Sequence, residues 1–227
     1  MAVRKIEEEL DRLSKLRDVD PAAAVAALRK ALGDRVNLVV AKAAKIAGER
    51  QFRELTPDLL RAFDRLLENA VARDQQCWGK NAIANSLKDL GHTESAPFLR
   101  GMRHVQMEPV WGGPAPGSPH EIDTAETLRG ICLLALAACT DLDRSDALRC
   151  FVDALTENAH TIRLEAVRAL AQMEGIEAAL VLRLKARIGD EEPPVVGQVF
   201  DALLGIEGEH ALPLVSEYLS KDRGAVR

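Results

Sequence analysis

The sequence predicts an all-α protein, an α-solenoid in which about five helix pairs stack in order. Three observations support this prediction. Apolar residues make up 47% of the chain and aromatic residues only 4%, with Ala and Leu abundant. Ala and Leu favour helices, whereas β-branched and aromatic residues favour strands. An apolar stripe with helical spacing recurs along the chain, and glycine closes several of its copies.

The first predicted element is a charged amphipathic helix over residues 2–17, within an N-terminal capping region of residues 1–20. Its stretch "MAVRKIEEELDRLSKLRD" lacks the apolar segment of a secretory signal. No run in the chain approaches the ~18 consecutive apolar residues that a membrane span needs. We therefore predict a cytoplasmic protein with no membrane partner.

The cysteines support the same compartment. Cys77, Cys132, Cys139 and Cys150 show no CxxC spacing. Cys132 and Cys139 are two helical turns apart, ~10 Å, which is too far for a disulfide. We predict that all four are small core residues in a reducing compartment.

The repeated stripe is clearest in "IRLEAVRALAQMEG". Here Ile162, Ala166, Ala169, Leu170 and Met173 share one face of a helix. Similar stripes begin at residues 36, 79, 128 and 195, so the unit starts are separated by 43, 49, 34 and 33 residues. Separations of this size indicate stacked helix pairs.

The repeat places five helix pairs in one domain that covers residues 1–227. The first helices of the pairs, on the convex side, are predicted near 21–32, 56–69, 95–106, 144–157 and 176–188. Their partners, on the concave side, are predicted near 35–47, 74–90, 123–139, 159–173 and 192–206. A C-terminal capping helix is predicted over residues 209–220, since a solenoid must cover its exposed apolar end.

One segment interrupts the third pair. The stretch "EPVWGGPAPGSPHEID" holds four prolines and three glycines, and we predict an insertion loop over residues 107–122. A loop of this length in a compact domain is usually functional or disordered. Trp111 must bury its ring against the neighbouring repeats or against a partner, and both alternatives stay open.

Two further motifs carry a family resemblance. The pattern "IRxxAxxAL" of residues 162–170, its near copy "LRxxCxxAL" of residues 128–136, and the turns "LGHTESAPFL" and "EGEHALPLV" resemble HEAT repeats. The similarity is greatest to the HEAT-like type of phycobilisome lyases and covers about residues 20–220. It implies an α–α superhelix that serves as a binding scaffold, and more rarely as an enzyme. The repeat arginine after the first stripe residue is replaced by Asn37, Lys80 and Val196.

The resemblance and the spacing together suggest a binding groove near the third pair. Ile131 and Leu134 are predicted on the concave face beneath the Trp111 loop, as an apolar patch for a peptide or helix. The loop itself is the alternative occupant of that patch. Arg168 lies on the same predicted ridge and can attract acidic groups.

Arg129 and Arg163 occupy the position just after a stripe start, in one row with Asn37, Lys80 and Val196. An arginine in this row either bonds acids and carbonyls of the adjacent turn or holds an acidic group of a ligand. The predicted binding residues are therefore Trp111, Arg129, Ile131, Leu134, Arg163 and Arg168. The expected partner is a protein or peptide.

Other chemistries are less well supported. Thirty basic against thirty-five acidic side chains give a net charge of -5, which opposes a nucleic-acid partner. Only His120-Glu121 matches the His-Glu dipeptides that deoxyhypusine hydroxylases repeat, and no HExxH motif exists. We predict no metal, no cofactor and no catalytic residue.

An enzyme remains the alternative function. It would be a chromophore-type lyase or isomerase, by analogy with phycobilisome lyases, or less favourably a DNA glycosylase. HEAT-like alkylpurine DNA glycosylases use aromatic and acidic residues in a basic groove, which Trp78, Trp111 and Asp201 could supply. The net negative charge of this chain opposes that second possibility.

Overall fold

A computed structural model describes residues 2–110 and 120–224 of the chain. The described residues are mostly helical, with one antiparallel two-stranded sheet. The chain divides into two compact units, Met1–Cys132 and Leu133–Arg227. Within these described ranges, no helix combines the length and the apolar character needed to cross a membrane.

The first unit contains the helices α1 (Ala2–Ser14), α2 (Pro21–Leu32), α3 (Asn37–Glu49), α4 (Thr56–Leu67), α5 (Ala70–Arg73), α6 (Trp78–Asp89) and α7 (Ala96–Met102). It also contains the strands β1 (Met107–Val110) and β2 (His120–Asp123), and short 3₁₀ helices at Lys15–Arg17, Arg53–Leu55 and Gln75–Cys77. Helix α8 (Glu126–Leu136) runs across the boundary between the units.

The second unit contains α9 (Arg144–Ala154), α10 (His160–Met173), α11 (Gly175–Ile188), α12 (Pro193–Glu207) and α13 (Leu212–Gly224), with a 3₁₀ helix at Gly208–Ala211. Each predicted helix, including those over residues 2–17 and 209–220, has an observed counterpart. Local signals explain the best matches. Asp20 accepts hydrogen bonds from the backbone N–H groups of Ala22 and Ala23 at 3.1 and 3.2 Å, and Pro21 takes the first position of α2.

Three predicted elements are corrected by the structure. The helix predicted over 74–90 starts only at Trp78, because Gln76 and Cys77 have left-handed backbone angles, with φ of 60° and 54°. The insertion over 107–122 is not loop throughout. Its two ends pair as β1 and β2, with Met107 opposite Asp123 and Val110 opposite His120. Helix α7 accordingly ends at Met102, before the predicted residue 106.

The core of the first unit depends on small residues. Helix α3 packs against α2 and α6, and α4 packs against α6. Where α3 meets α6, a Cβ atom added to Gly48 would lie 3.1 Å from Ser86 Oγ. The Ser86 hydroxyl donates to the Ala44 carbonyl at 2.7 Å, and Ala43 and Ala47 are fully buried. An Ala-rich composition therefore allows these helices to approach closely.

The core of the second unit forms around α10. This helix packs against α9, α11 and α12, and α11 packs against α12. The contacts are made by fully buried aliphatic side chains that include Leu170, Leu182 and Leu203. Cys77 and Cys132 are buried and Cys139 and Cys150 half-buried, and none of these four forms a disulfide. The core placement predicted for the cysteines thus holds fully for two of them.

Candidate functional site

The most concentrated polar chemistry of the first unit lies where α6 begins. Asp74 and Lys80 have no solvent-accessible surface, and Gln106 and Glu108 are buried beside them. The ammonium of Lys80 lies 3.1 Å from Asp74 Oδ2 and donates to Gln106 Oε1 at 2.9 Å. A buried lysine must be paired in this way, because desolvating an isolated charge is too costly.

Asp74 is the centre of this network. Its Oδ1 accepts hydrogen bonds from Asn37 Nδ2 at 3.1 Å and from the Gly79 N–H at 2.8 Å. Its Oδ2 accepts the Lys80 N–H at 2.9 Å. Asp74 therefore joins α3 to the first turn of α6 and satisfies backbone N–H groups that a helix start leaves without partners.

Glu108 connects the network to the sheet. Its Oε1 accepts the Gln76 N–H at 2.7 Å and the Thr124 hydroxyl at 2.7 Å. Burial alone would raise the pKa of Glu108, but the hydrogen bonds from Thr124, Gln106 and the Gln76 backbone hold that pKa below its ordinary value. The ionised carboxylate thus fixes β1 and the residue after β2 to the left-handed turn before α6.

A second cluster secures the other side of the hairpin. Arg129 donates to the Asp123 carboxylate and, at 3.1 Å, to the His104 carbonyl. Asp123 Oδ1 also accepts the N–H groups of Gln106 and Ala125, each at 3.0 Å. Burial opposes ionisation, yet the bond from Arg129 and these two backbone bonds keep the pKa of Asp123 below its ordinary value. Burial lowers the pKa of His104.

These groups form a structural anchor. Burial raises the pKa of the Cys77 thiol to about 11, so the thiol is protonated at neutral pH. Lys80 is bonded and enclosed. Across the part of the chain that the structure describes, no three His, Cys, Asp or Glu side chains lie together as a metal site requires. We call these buried and half-buried groups the hairpin anchor, formed by Asn37, Asp74, Lys80, Gln106, Glu108, Asp123, Thr124 and Arg129.

The hairpin that this anchor holds presents apolar side chains to solvent. Val105 is 60% exposed and Met107 is 45% exposed, and Ile122 on β2 is also exposed. Along β1, Glu108 points into the anchor whereas its neighbour Met107 points outward. Val105 and Met107 are called the hairpin surface below.

The predicted binding residues are distributed as follows. Trp111 lies outside the described residues. Ile131 and Leu134 are half-buried on α8, on either side of the boundary between the two units. Arg168 is partly exposed and bonds Glu165 and Gln198. A binding role for these residues stays a prediction.

Arg163 is held by internal partners in the second unit. Its Nε and Nη2 atoms donate to the Asp190 carboxylate at 2.8 Å each, and its Nη1 donates to the carbonyls of Glu157 and Asn158. Lys185 Nζ lies 2.8 Å from the same carboxylate. The hydrogen bonds from Arg163 and Lys185 hold the pKa of Asp190 well below its ordinary value, against the effect of burial.

The row after the stripe starts therefore has a common structural use. Its polar members each bind an aspartate that lies three or four residues before a helix: Asn37 and Lys80 bind Asp74 before α6, Arg129 binds Asp123 before α8, and Arg163 binds Asp190 before α12. This matches the structural alternative predicted for Arg129 and Arg163. A further role in holding a ligand is untested for both.

Sequence reasoning missed an exposed apolar row on α11. Ile176, Leu180, Leu184 and Ile188 are each 58–72% exposed, at a spacing of four residues that places them along one face. The opposite face of α11 is buried through Ala178, Ala179, Leu182 and Ala186. The stretch "IEAALVLRLKARIG" is apolar on more than one face, and that is the available signal, since a helix in contact with solvent normally has a polar face.

A cleft of about 350 Å³ opens at the N-terminal end of this row. Ile176, Ala179 and Ile206 line it together with the acidic residues Glu174 and Glu207.

No protein-family model matches this sequence, and a search of curated proteins finds no match either.

Proposed function

We propose that this chain is a HEAT-like α-solenoid that serves as a non-catalytic protein-binding scaffold. Packing within each unit supports the repeat. In the first unit α3, the second helix of one predicted pair, packs against α6, the second helix of the next; α10 and α12 do the same in the second unit. Stacked helix pairs are expected to make such contacts. The repeated bond from a row residue to an aspartate before a helix also supports it.

We place the binding function at the hairpin surface, near the predicted third pair. The observation that carries the proposal is the hairpin anchor. It buries an ion pair between Lys80 and Asp74, and desolvating such a pair is costly compared with an apolar core. The chain uses this pair to hold a short hairpin in one position, with Val105 and Met107 left in solvent.

Two paired strands held in one position, with exposed apolar side chains beside them, suit recognition of a peptide or helix. Because β1 and β2 are already ordered, a partner does not have to supply the free energy of ordering them. Loops held by a rigid scaffold commonly carry binding residues. Methionine also adapts its shape to different apolar surfaces. The predicted residue Ile131, which is also in the first unit, is a further candidate for contact with the same partner.

The test uses the full chain as bait in cells of its native source. Val105→Asp combined with Met107→Asp is compared with wild type and with Val71→Asp, a matched change at a valine that is 40% exposed on α5. We expect one or more proteins to be captured by wild type and by Val71→Asp but lost from the double variant. With the purified partner, the double variant should bind about tenfold or more weakly.

Circular dichroism of the three baits provides the folding control, because substitutions at exposed positions should leave the helix content unchanged. Capture that survives in the double variant, or that is lost equally in Val71→Asp, would contradict binding at the hairpin surface.

A further inference from the structure

We infer that the apolar row of α11 is a self-association surface, and that it pairs with the same row of a second copy of this chain in antiparallel orientation. The row consists of Ile176, Leu180, Leu184 and Ile188. It lies wholly within the second unit, whereas the hairpin surface belongs to the first. The inference is therefore independent of the proposed function.

The size and continuity of the row argue that another molecule packs against it in the functional protein. Single exposed aliphatic residues are common on protein surfaces, but a contiguous set is not. Here four large side chains, each more than half exposed, follow one another along three turns of a single helix. Residues spaced by four form the ridge that packs into the groove of a neighbouring helix.

The order of the residues favours a second copy as the occupant. Interfaces with twofold symmetry are isologous, so each copy must present a surface complementary to itself. The row reads Ile, Leu, Leu, Ile at equal spacing, and its centre falls at the level of Leu182. In an antiparallel pair centred there, Leu180 of one copy lies level with Leu184 of the other, and Ile176 lies level with Ile188.

Charge complementarity points to the same orientation. Glu174 and Glu177 lie at the N-terminal end of α11, and Arg187 lies near its C-terminal end. Antiparallel pairing brings Glu177 of each copy level with Arg187 of the other, at both ends of the interface. Parallel pairing would place like charges together. Opposed charges at an interface set its register and exclude the wrong orientation.

The charged groups are free enough to make these contacts. Arg187 is 61% exposed, and its Nη1 lies 3.8 Å from Glu217 Oε2. Glu177 is 56% exposed, and its Oε2 lies 3.6 Å from Arg144 Nη2. Both pairs are long and exposed to water, so they compete weakly with a new partner. Arg187 would approach the cleft that Glu174 and Glu207 line beside Ile176.

The experiment measures the mass of the purified full chain by analytical ultracentrifugation across concentrations from about 1 to 200 μM, the range in which a modest interface dimerises. We expect a reversible monomer–dimer equilibrium. Leu184→Asp should raise the dissociation constant about tenfold or more, because a charge would face the apolar row of the partner. Leu219→Asp, at a leucine that is 56% exposed on α13, should leave the constant within about twofold.

A charge exchange tests the orientation. Arg187→Glu alone should weaken the dimer by bringing acids together at both ends, and adding Glu177→Arg to it should recover part of the loss. Failure of the second change to recover any affinity overturns the antiparallel pairing. A dimer that Leu184→Asp leaves intact overturns the assignment to α11. A chain that stays monomeric throughout overturns self-association.

Discussion

Replacing Lys80 with methionine is expected to destabilise the first unit severely. Methionine has nearly the length of lysine but no charge, so the change removes the ammonium with little change in volume. The ammonium lies 3.1 Å from Asp74 Oδ2, donates to Gln106 Oε1 at 2.9 Å, and reaches the Leu66 carbonyl at 3.3 Å. Its loss leaves a fully buried carboxylate without that positive charge.

Removing one partner of a buried ion pair costs about 3–5 kcal/mol. For a chain of 227 residues this corresponds to a fall in the melting temperature of roughly 6–20 °C. The variant keeps the hydrogen bonds that the Gly79 and Lys80 N–H groups donate to the Asp74 carboxylate. These bonds stabilise the carboxylate in part, so we expect a free-energy loss in the lower half of the ~3–5 kcal/mol range. Because the lost term is electrostatic and shielded from solvent, added salt should restore little of it.

Urea unfolding followed by tryptophan fluorescence measures the effect. Trp78 begins α6 in the first unit, so its signal reports on that unit. Lys45→Met is the matched control, since Lys45 pairs with Glu49 at 3.9 Å on the exposed side of α3 and should change stability by less than about 0.5 kcal/mol. A loss below about 1 kcal/mol in Lys80→Met would refute the reasoning.

Two other predictions concern Asp190 and Glu108. The pKa of Asp190 lies below its ordinary value, so its carboxylate favours the folded state above about pH 4, and this contribution declines as the pH falls toward the lowered pKa. Asp190→Asn should therefore cost the second unit about 3 kcal/mol at pH 7 and flatten the acid limb of a stability–pH curve from thermal melts. Glu108→Ala should release the Gln76 N–H and the Thr124 hydroxyl, and so raise amide hydrogen exchange in β1 and β2 at least about tenfold.

The contradicting outcomes are specific to each case. Equal steepness of the wild-type and Asp190→Asn curves below pH 4 would show that Asp190 is not ionised preferentially in the folded state. Glu121→Ala is the control for the hairpin, because Glu121 is exposed on β2. Exchange that rises equally in Glu108→Ala and Glu121→Ala would show that the anchor does not hold the strands.

Most helices could be predicted because their signals are local. The predicted boundaries of α2 were residues 21 and 32, and the observed helix runs from Pro21 to Leu32. Asp20 caps its start and Gly33 follows its end, so neighbouring residues alone set both limits. The apolar stripes of α10 and α12 were equally sufficient, since a helix buried on one face shows that face as a periodicity.

The errors occur where distant residues determine the backbone. Gln76 and Cys77 take left-handed angles next to bonds with Asp74 and Glu108, and a residue 32 positions away is not visible in a local pattern. β1 contains Pro109, which argues against a strand within a larger sheet but is tolerated in a two-stranded ribbon whose edges are open. The predicted loop therefore concealed a hairpin.

Some features of the candidate site could be predicted from local patterns, and others could not. The row position of Arg129 and Arg163 predicted internal acids as one alternative, because a repeat of the predicted kind would place that row against an adjacent turn. Both arginines do bind an aspartate. Lys80 stood in the same row, yet nothing local indicated that it would be wholly enclosed. The exposed row of α11 was missed because periodicity reports which residues are apolar, and a helix that is apolar on more than one face does not show which of those faces is buried.

The hairpin anchor also bears on how the first unit opens. In an array whose repeats touch only their neighbours, the ends can fray while the middle stays intact. Asp74 instead binds Asn37 and Lys80, and Gln106 reaches the Asp74 carbonyl at 2.8 Å, so distant segments share one set of bonds. If any one of these segments unfolds, the buried charges of Asp74 and Lys80 lose bonding partners. The described residues 37–110 and 120–129 should thus unfold as one cooperative block, and their most protected amides should exchange with hydrogen at a common free energy of opening.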